Sequence, residues 1–85
     1  MSLDERFQDA AARSKSLSNP GNDVLLQIYS LYKQGTKGDV SGKKPGMFDM
    51  VGKAKYDAWE KLKGTSQDDA KEQYVALIEK LEAGG

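Results

Sequence analysis

Tyr29, Tyr32 and Lys33 stand at i, i+3 and i+4 in the run Leu25-Leu-Gln-Ile-Tyr-Ser-Leu-Tyr-Lys33. On a helix that spacing gathers two aromatic rings and one ammonium on a single surface patch. Such a patch suits a flat aromatic ligand bearing negative charge. Lys55 falls among Val51, Trp59 and Leu62 on the inner face of a later helix, where an ammonium is costly unless it reaches water or an anionic partner. Tyr74 adds a hydroxyl at another core-facing position. Taken singly, each tyrosine is explained by a helix interface with its hydroxyl at the rim, and each lysine by a stem laid along apolar surface with its head in water. Two such lysines beside two tyrosines on neighbouring helices ask for more.

Other chemistry is excluded by composition. The 85 residues contain no cysteine and no histidine, which removes thiol chemistry, disulfides and imidazole bases and leaves only carboxylates for a metal site. No carboxylate pair is spaced for shared acid-base work, so neither catalysis nor a metal site is expected. The formal net charge is zero, but residues 33–63 hold eight lysines against four acids, while residues 1–32 balance at −1 and residues 64–85 at −3. The middle of the chain attracts anions. With no basic leader, no glycine at position 2 and no apolar run long enough to span a bilayer, a cytoplasmic monomer without membrane insertion is the expectation.

Four helices must position these residues. Ser2 and Glu5 have capping-box spacing, and Leu3, Phe7, Ala10, Ala11, Ser14 and Leu17 follow on one stripe, with Lys15 at its border. The turn Ser18-Asn-Pro-Gly-Asn22 leads into a second helix from about Pro20 to about Gln34, with Asn19 able to cap it. Its apolar residues Val24, Leu25, Ile28, Leu31 and Tyr32 cover more of the circumference than one neighbour requires. Gly35 to Met50 is a long connection, in which Met47 and Phe48 should dock on the body, while Asp39 and Asp49 make turn hydrogen bonds. A third helix is predicted from Val51 to Lys63, stopped by Gly64, with Val51, Ala54, Ala58, Trp59 and Leu62 inward. Ser66 and Asp69 open a fourth, running to about Ala83 with Ala70, Tyr74, Leu77, Ile78 and Leu81 inward. No strand pattern is present, so residues 1–85 are predicted to form one all-α domain.

The string Ile28-Tyr-Ser-Leu-Tyr-Lys-Gln34, Gly38-Asp39, Pro45-Gly-Met47 with Asp49, Gly52-Lys-Ala-Lys55, Asp57-Ala-Trp59 and Leu62-Lys-Gly64 closely resembles the acyl-CoA-binding protein family. The likeness extends from Phe7 to Tyr74. It implies a four-helix bundle of up-down-down-up order with a long overhand loop between the second and third helices. It also implies a non-catalytic carrier and pool former for medium- and long-chain acyl-CoA esters. Carried over by position, Tyr32 would stack on the adenine, and Tyr29, Lys33 and Lys55 would hold the ribose 3′-phosphate. Tyr74 would lie along the ligand nearer its pantetheine and acyl part, Lys15 matches a ligand-contacting lysine of the first helix, and Ala10, Leu25 and Leu26 would line the acyl groove. Two departures stand out: Val51 replaces a common lysine, and Gly35 replaces the more usual alanine. Two other classes remain open on the residues themselves. A helix-docking module would use the apolar arc but leave Lys33 and Lys55 idle, and a nucleic-acid binder sits poorly with zero net charge.

Overall fold

A computed structural model describes residues 1–17 and 20–84. Four helices are present, α1 (Leu3–Ser14), α2 (Asn22–Lys37), α3 (Met50–Glu60) and α4 (Gln67–Glu82), with no strand among the described residues. Their starts follow local side-chain chemistry. Ser2 Oγ accepts from Glu5 N and Glu5 Oε1 accepts from Ser2 N, both at 3.2 Å, and Ser66 Oγ accepts from Asp69 N at 3.0 Å. Asp49 caps α3 by accepting from Gly52 N at 3.0 Å. A side chain at Gly52 would displace that carboxylate from its present position, so the glycine gives the cap room.

Helix directions are legible from the contacts between ends. Lys71 binds Asp4 at 2.6 Å near one end of α1 and α4, and Arg13 binds Glu82 near the other, so these two helices run parallel. Gln67, at the start of α4, donates to Thr36 O near the end of α2, so those two are antiparallel. The indole Nε1 of Trp59, late in α3, donates to Gly38 O just beyond α2 at 2.8 Å, and α3 is parallel to α2. The order is up-down-down-up, as the family resemblance implies. Parallel neighbours need an overhand return, here residues 38–49, which reach roughly 40 Å when extended against about 16 Å for the 11 residues of α3.

The core is shared by α1, α2 and α4. Phe7, Ala10, Leu31, Tyr74, Val75 and Ile78 are all buried in it, whereas α3 packs on α2 alone and anchors itself chiefly through the buried Trp59. This asymmetry corrects several expectations. Val51 was expected to face inward yet is 67% exposed, because the start of α3 has only the half-exposed start of α2 opposite it. Met47 and Phe48 do not dock on the body and are 75% and 96% exposed. The connection is held by polar ties instead: the Trp59 bond, Tyr56 Oη donating to Gly42 O at 3.2 Å, and the Lys44–Asp57 ion pair at 2.8 Å. All of these act before Met47, leaving the tip free of packing partners.

Boundaries shift for local reasons. The α2 N-cap is Gly21, without a side-chain bond; the capping role expected of Asn19 lies outside the described residues. The helix continues past Gln34 to Lys37 and ends where Gly38 takes φ 82°. Gly35 is buried within it, and a methyl group there would lie 3.1 Å from Lys71 Cγ and 3.3 Å from Phe7 Cζ. The glycine therefore lets α1 and α4 close on α2. At the other end of α3 the helix gives way to turns after Glu60, and Gly64 (φ 93°) finishes the stop.

Asp39 ties three segments together. Its Oδ1 accepts from Gln34 Nε2 and from Gly64 N, each at 2.9 Å, while the same Gln34 amide donates to Thr65 O at 2.7 Å. The Gly64 N–H and then the Gln34 amide hold the Asp39 carboxyl below its ordinary value of 3.8. The unfolded chain therefore takes up this proton first, so the tie is complete above pH about 4 and is lost as pH falls from there through the folded-state value. Asp39→Ala is expected to lower the thermal midpoint by several degrees at pH 7, with the gap to the parent narrowing towards pH 3. A gap that stays constant over this range would show that the carboxylate charge plays no part.

Candidate functional site

The face of α2 that the core does not take up borders two cavities. The larger, of about 630 Å³, lies between α1, α2, α3 and α4 and is lined by Gln8, Ala11, Ala12, Ser14, Lys15, Leu25, Ile28, Tyr29, Tyr32, Lys55 and Tyr74. The smaller, of about 420 Å³, lies between the starts of α2 and α3 and is lined by Asn22, Leu25, Leu26, Met50, Val51, Ala54 and Lys55. Leu25 and Lys55 border both. One cavity is aromatic and cationic, the other is apolar, and they meet at these two side chains.

Tyr32 is the platform of the first. Its ring lies nearly parallel to Phe7 (centroids 5.5 Å, interplanar angle 22°) and 5.9 Å from Tyr74. Phe7 is in turn met edge-on by Tyr74 at 5.1 Å. Core aromatics thus back the ring, while Tyr32 itself remains 39% exposed and open to a further stacking partner. Tyr29 stands between two ammonium groups, Lys55 Nζ at 5.2 Å from its ring centroid and Lys33 Nζ at 5.8 Å. Cation–π attraction of this kind holds lysine heads beside the ring without neutralising them.

Charge is left over here. Among the described residues no carboxylate pairs with Lys15, Lys33 or Lys55, whereas Lys44, Lys71 and Arg13 all have acidic partners. Neither cavity is lined by an aspartate or glutamate. Three unpaired cations and two partly accessible phenols can hold a polyanion such as a phosphate ester. Burial raises the Tyr74 phenol, with the Ser14 hydroxyl partly offsetting it, so this group stays protonated and able to donate.

The sequence-expected residues divide as follows. Lys15, Tyr29, Tyr32, Lys55, Tyr74 and Leu25 line the larger cavity, and Leu26 lines the smaller. Lys33 lies outside the lining, behind Tyr29, where its ammonium also sits 5.7 Å from the Trp59 ring centroid. Tyr74 keeps only 2% of its surface exposed and serves as a wall. Ala10 is fully buried in the core and lines neither cavity, which corrects its place in the groove. Ala11 and Ala12, one and two positions on, line the larger cavity in its stead, and Ile28, Met50, Val51 and Ala54 were also missed as lining. Ile28 and Ala11 stood on the apolar stripes, so they were legible as inward-facing but not as bordering open space.

The acyl CoA binding protein family model matches residues 4–78. The chain belongs to the acyl-CoA-binding protein family. It is 57% identical to acyl-CoA-binding protein homolog 1 of Caenorhabditis elegans over 76 residues, 88% of each chain. To the acyl-CoA-binding protein of Saccharomyces cerevisiae it is 44% identical over 80 residues, 93% of this chain and 92% of the other. Among solved structures, Oryza sativa acyl-CoA-binding protein 2 superposes with a TM-score of 0.95 at 33% identity, covering 98% of this chain and 93% of that one. The family string noted in the sequence runs through the elements that enclose both cavities: α2 supplies the rings, α3 supplies Lys55, and the polar ties of the overhand loop hold the two together.

Proposed function

We propose that the protein binds medium- and long-chain acyl-CoA esters in the joined cavities and serves as a non-catalytic carrier and pool for them. Membership of the family supports acyl-CoA as the ligand class. The contiguity of the cationic, aromatic cavity with the apolar cleft at Leu25 and Lys55 is the observation that supports this use of the two spaces. In this reading Tyr32 stacks on the adenine, and Tyr29 with Lys33 and Lys55 holds the 3′-phosphate. Lys15 adds a cation from the α1 wall, and Tyr74 flanks the middle of the ligand. The acyl tail occupies the cleft among Leu25, Leu26, Met50, Val51 and Ala54. Val51, where the family resemblance implies a lysine, gives up one phosphate contact and extends the apolar floor.

Head and tail contribute differently. An aromatic platform adds roughly 1–3 kcal/mol per stacked base, and each charge-assisted hydrogen bond roughly 1.5–3 kcal/mol. A tail of about a dozen methylenes gains on the order of 10 kcal/mol gross at about 0.8 kcal/mol each, before the ordering costs of binding. The tail dominates affinity and the head sets specificity. Calorimetry is expected to show tight binding of a long-chain acyl-CoA, free coenzyme A weaker by about two orders of magnitude or more, and little binding of the free fatty acid. Comparable affinity for the fatty acid would contradict the division of labour.

The proposal also takes the protein as a single-domain cytoplasmic monomer, with no resident cofactor, no metal and no nucleic-acid partner. Among the described residues no helix is long and apolar enough to cross a membrane.

A further inference from the structure

Lys71, in the first half of α4, lines neither cavity, yet its side chain is only 18% exposed. Contacts to both neighbouring helices keep it there. Its ammonium pairs with Asp4 Oδ1 of α1 at 2.6 Å and lies 5.9 Å from the Phe7 ring centroid. Its stem occupies the notch that Gly35 leaves in α2: a methyl group at position 35 would come within 3.1 Å of Lys71 Cγ and 3.3 Å of Phe7 Cζ. Stem and ring therefore share one notch where α1, α2 and α4 meet. The ion pair itself adds little stability, because Asp4 is 76% exposed and water screens such a pair, while ordering a lysine stem costs side-chain entropy. What the arrangement does fix is the ring beside it.

We propose that Lys71 is a positioning residue for the nucleotide platform: braced by Asp4, it holds the Phe7 ring, and Phe7 holds Tyr32. The ammonium attracts the ring, and the stem denies it the space beside Gly35. Phe7 lies nearly parallel to Tyr32, at 5.5 Å and 22°, so a change in its tilt passes to a ring that is 39% exposed and open on its outer side. Arg13 and Glu82 supply the contrast. They join the same two helices at the other end, but Arg13 stands over no ring among the described residues. A platform fixed in advance loses less freedom when a base stacks on it, so Lys71 adds to affinity from outside both cavities. That effect on the ligand rests on the acyl-CoA reading; the fixing of the rings does not.

The test compares the parent with four variants, all expected to stay folded because the pairs concerned add little stability. Lys71→Met keeps the stem and removes the charge, Asp4→Asn leaves Lys71 whole but unpaired, Lys71→Arg keeps both the pair and the cation, and Glu82→Gln breaks the other α1–α4 pair as a control. Calorimetry uses a long-chain acyl-CoA and the matching acyl-4′-phosphopantetheine, which carries the tail but no adenine. Lys71→Met and Asp4→Asn are expected to weaken the acyl-CoA by about three- to tenfold, a part of what a stacked base contributes, and to leave the phosphopantetheine ester unchanged. Lys71→Arg and Glu82→Gln should match the parent with both ligands. In the ligand-free protein, the ring-proton NMR signals of Tyr32, which feel the ring current of Phe7, should move in Lys71→Met and return in Lys71→Arg, while those of Tyr29 stay in place. Equal weakening of both esters or of neither, an equal loss in Glu82→Gln, or Tyr32 signals unmoved in Lys71→Met would overturn the proposal. A parent that binds neither ester while Tyr32 responds to Lys71→Met sinks only the carrier reading. A parent that binds acyl-CoA tightly, with Tyr32 and the affinity ratio indifferent to Lys71→Met, sinks only the role of Lys71.

Discussion

Lys55→Met weakens long-chain acyl-CoA and free coenzyme A by the same factor, about ten- to a hundredfold, the equivalent of one charge-assisted hydrogen bond. Both ligands carry the same 3′-phosphate, and the ammonium that would meet it is held 5.2 Å from the Tyr29 ring centroid with no competing carboxylate among the described residues. Methionine is the informative replacement because Lys55 borders both cavities. Its stem covers apolar surface at the mouth of the cleft, and alanine would remove that packing along with the charge. Calorimetry with the dephospho-coenzyme A ester decides the assignment. The parent should bind this ester more weakly than the phosphorylated one, and the variant should distinguish the two esters less than the parent does, keeping only the share that Tyr29 and Lys33 supply. A parent that binds the dephospho ester as tightly as the phosphorylated one would take the 3′-phosphate away from Lys55. A loss confined to the acylated ligand would reassign Lys55 to the tail.

The ring and ammonium cluster could be read from the sequence because its members lie within one helical turn, where spacing alone fixes which side chains are neighbours. Helix number and two of the four starts were legible for a similar reason: Ser2 and Ser66 act on backbone groups three residues away, whereas Asp49, read only as a turn residue, proves to cap α3. Periodicity stops short of saying what covers a face. Val51 and Trp59 lie on the same predicted stripe of α3, yet one is 67% exposed and the other 8%, because the start of α3 faces the start of α2 across an open cleft. Ala10 and Ala11 differ by one residue, and nothing in their spacing separates a core position from a cavity wall. The fixing of the overhand loop was hidden too, since its bonds join residues far apart in the chain, Gly38 with Trp59 and Gly42 with Tyr56. Apolar loop residues suggested anchors where polar groups do the anchoring. The assignments of individual side chains to adenine, phosphate and acyl groove came from the family resemblance; of these residues Lys33 and Ala10 line neither cavity.

Phe7→Ala is expected to destabilise the protein by about 3–5 kcal/mol, a large part of the 5–15 kcal/mol typical of a whole domain, and to weaken ligand binding from a position that lines neither cavity. Phe7 is 1% exposed, and its ring joins Tyr32 and Tyr74 in a three-membered aromatic cluster at 5.5 and 5.1 Å. The glycine at position 35 lets α2 approach this ring closely, so the space left by truncation has rigid walls and collapses little. Removing the ring also takes the backing from Tyr32, whose exposed side is the proposed adenine platform. A ring free to tilt offers a less pre-organised surface, and part of the stacking gain of roughly 1–3 kcal/mol is lost with it. Urea unfolding monitored by circular dichroism gives the stability change, and Phe7→Leu, which refills most of the volume, should recover more than half of it. The ligand provides an independent reading: saturating acyl-CoA should raise the midpoint of the parent more than that of Phe7→Ala, because stabilisation by a ligand follows its affinity for the folded state. A truncation that lowers stability but leaves the affinity for coenzyme A unchanged would show that Tyr32 keeps its orientation without Phe7, and that the core and the nucleotide platform are energetically separate.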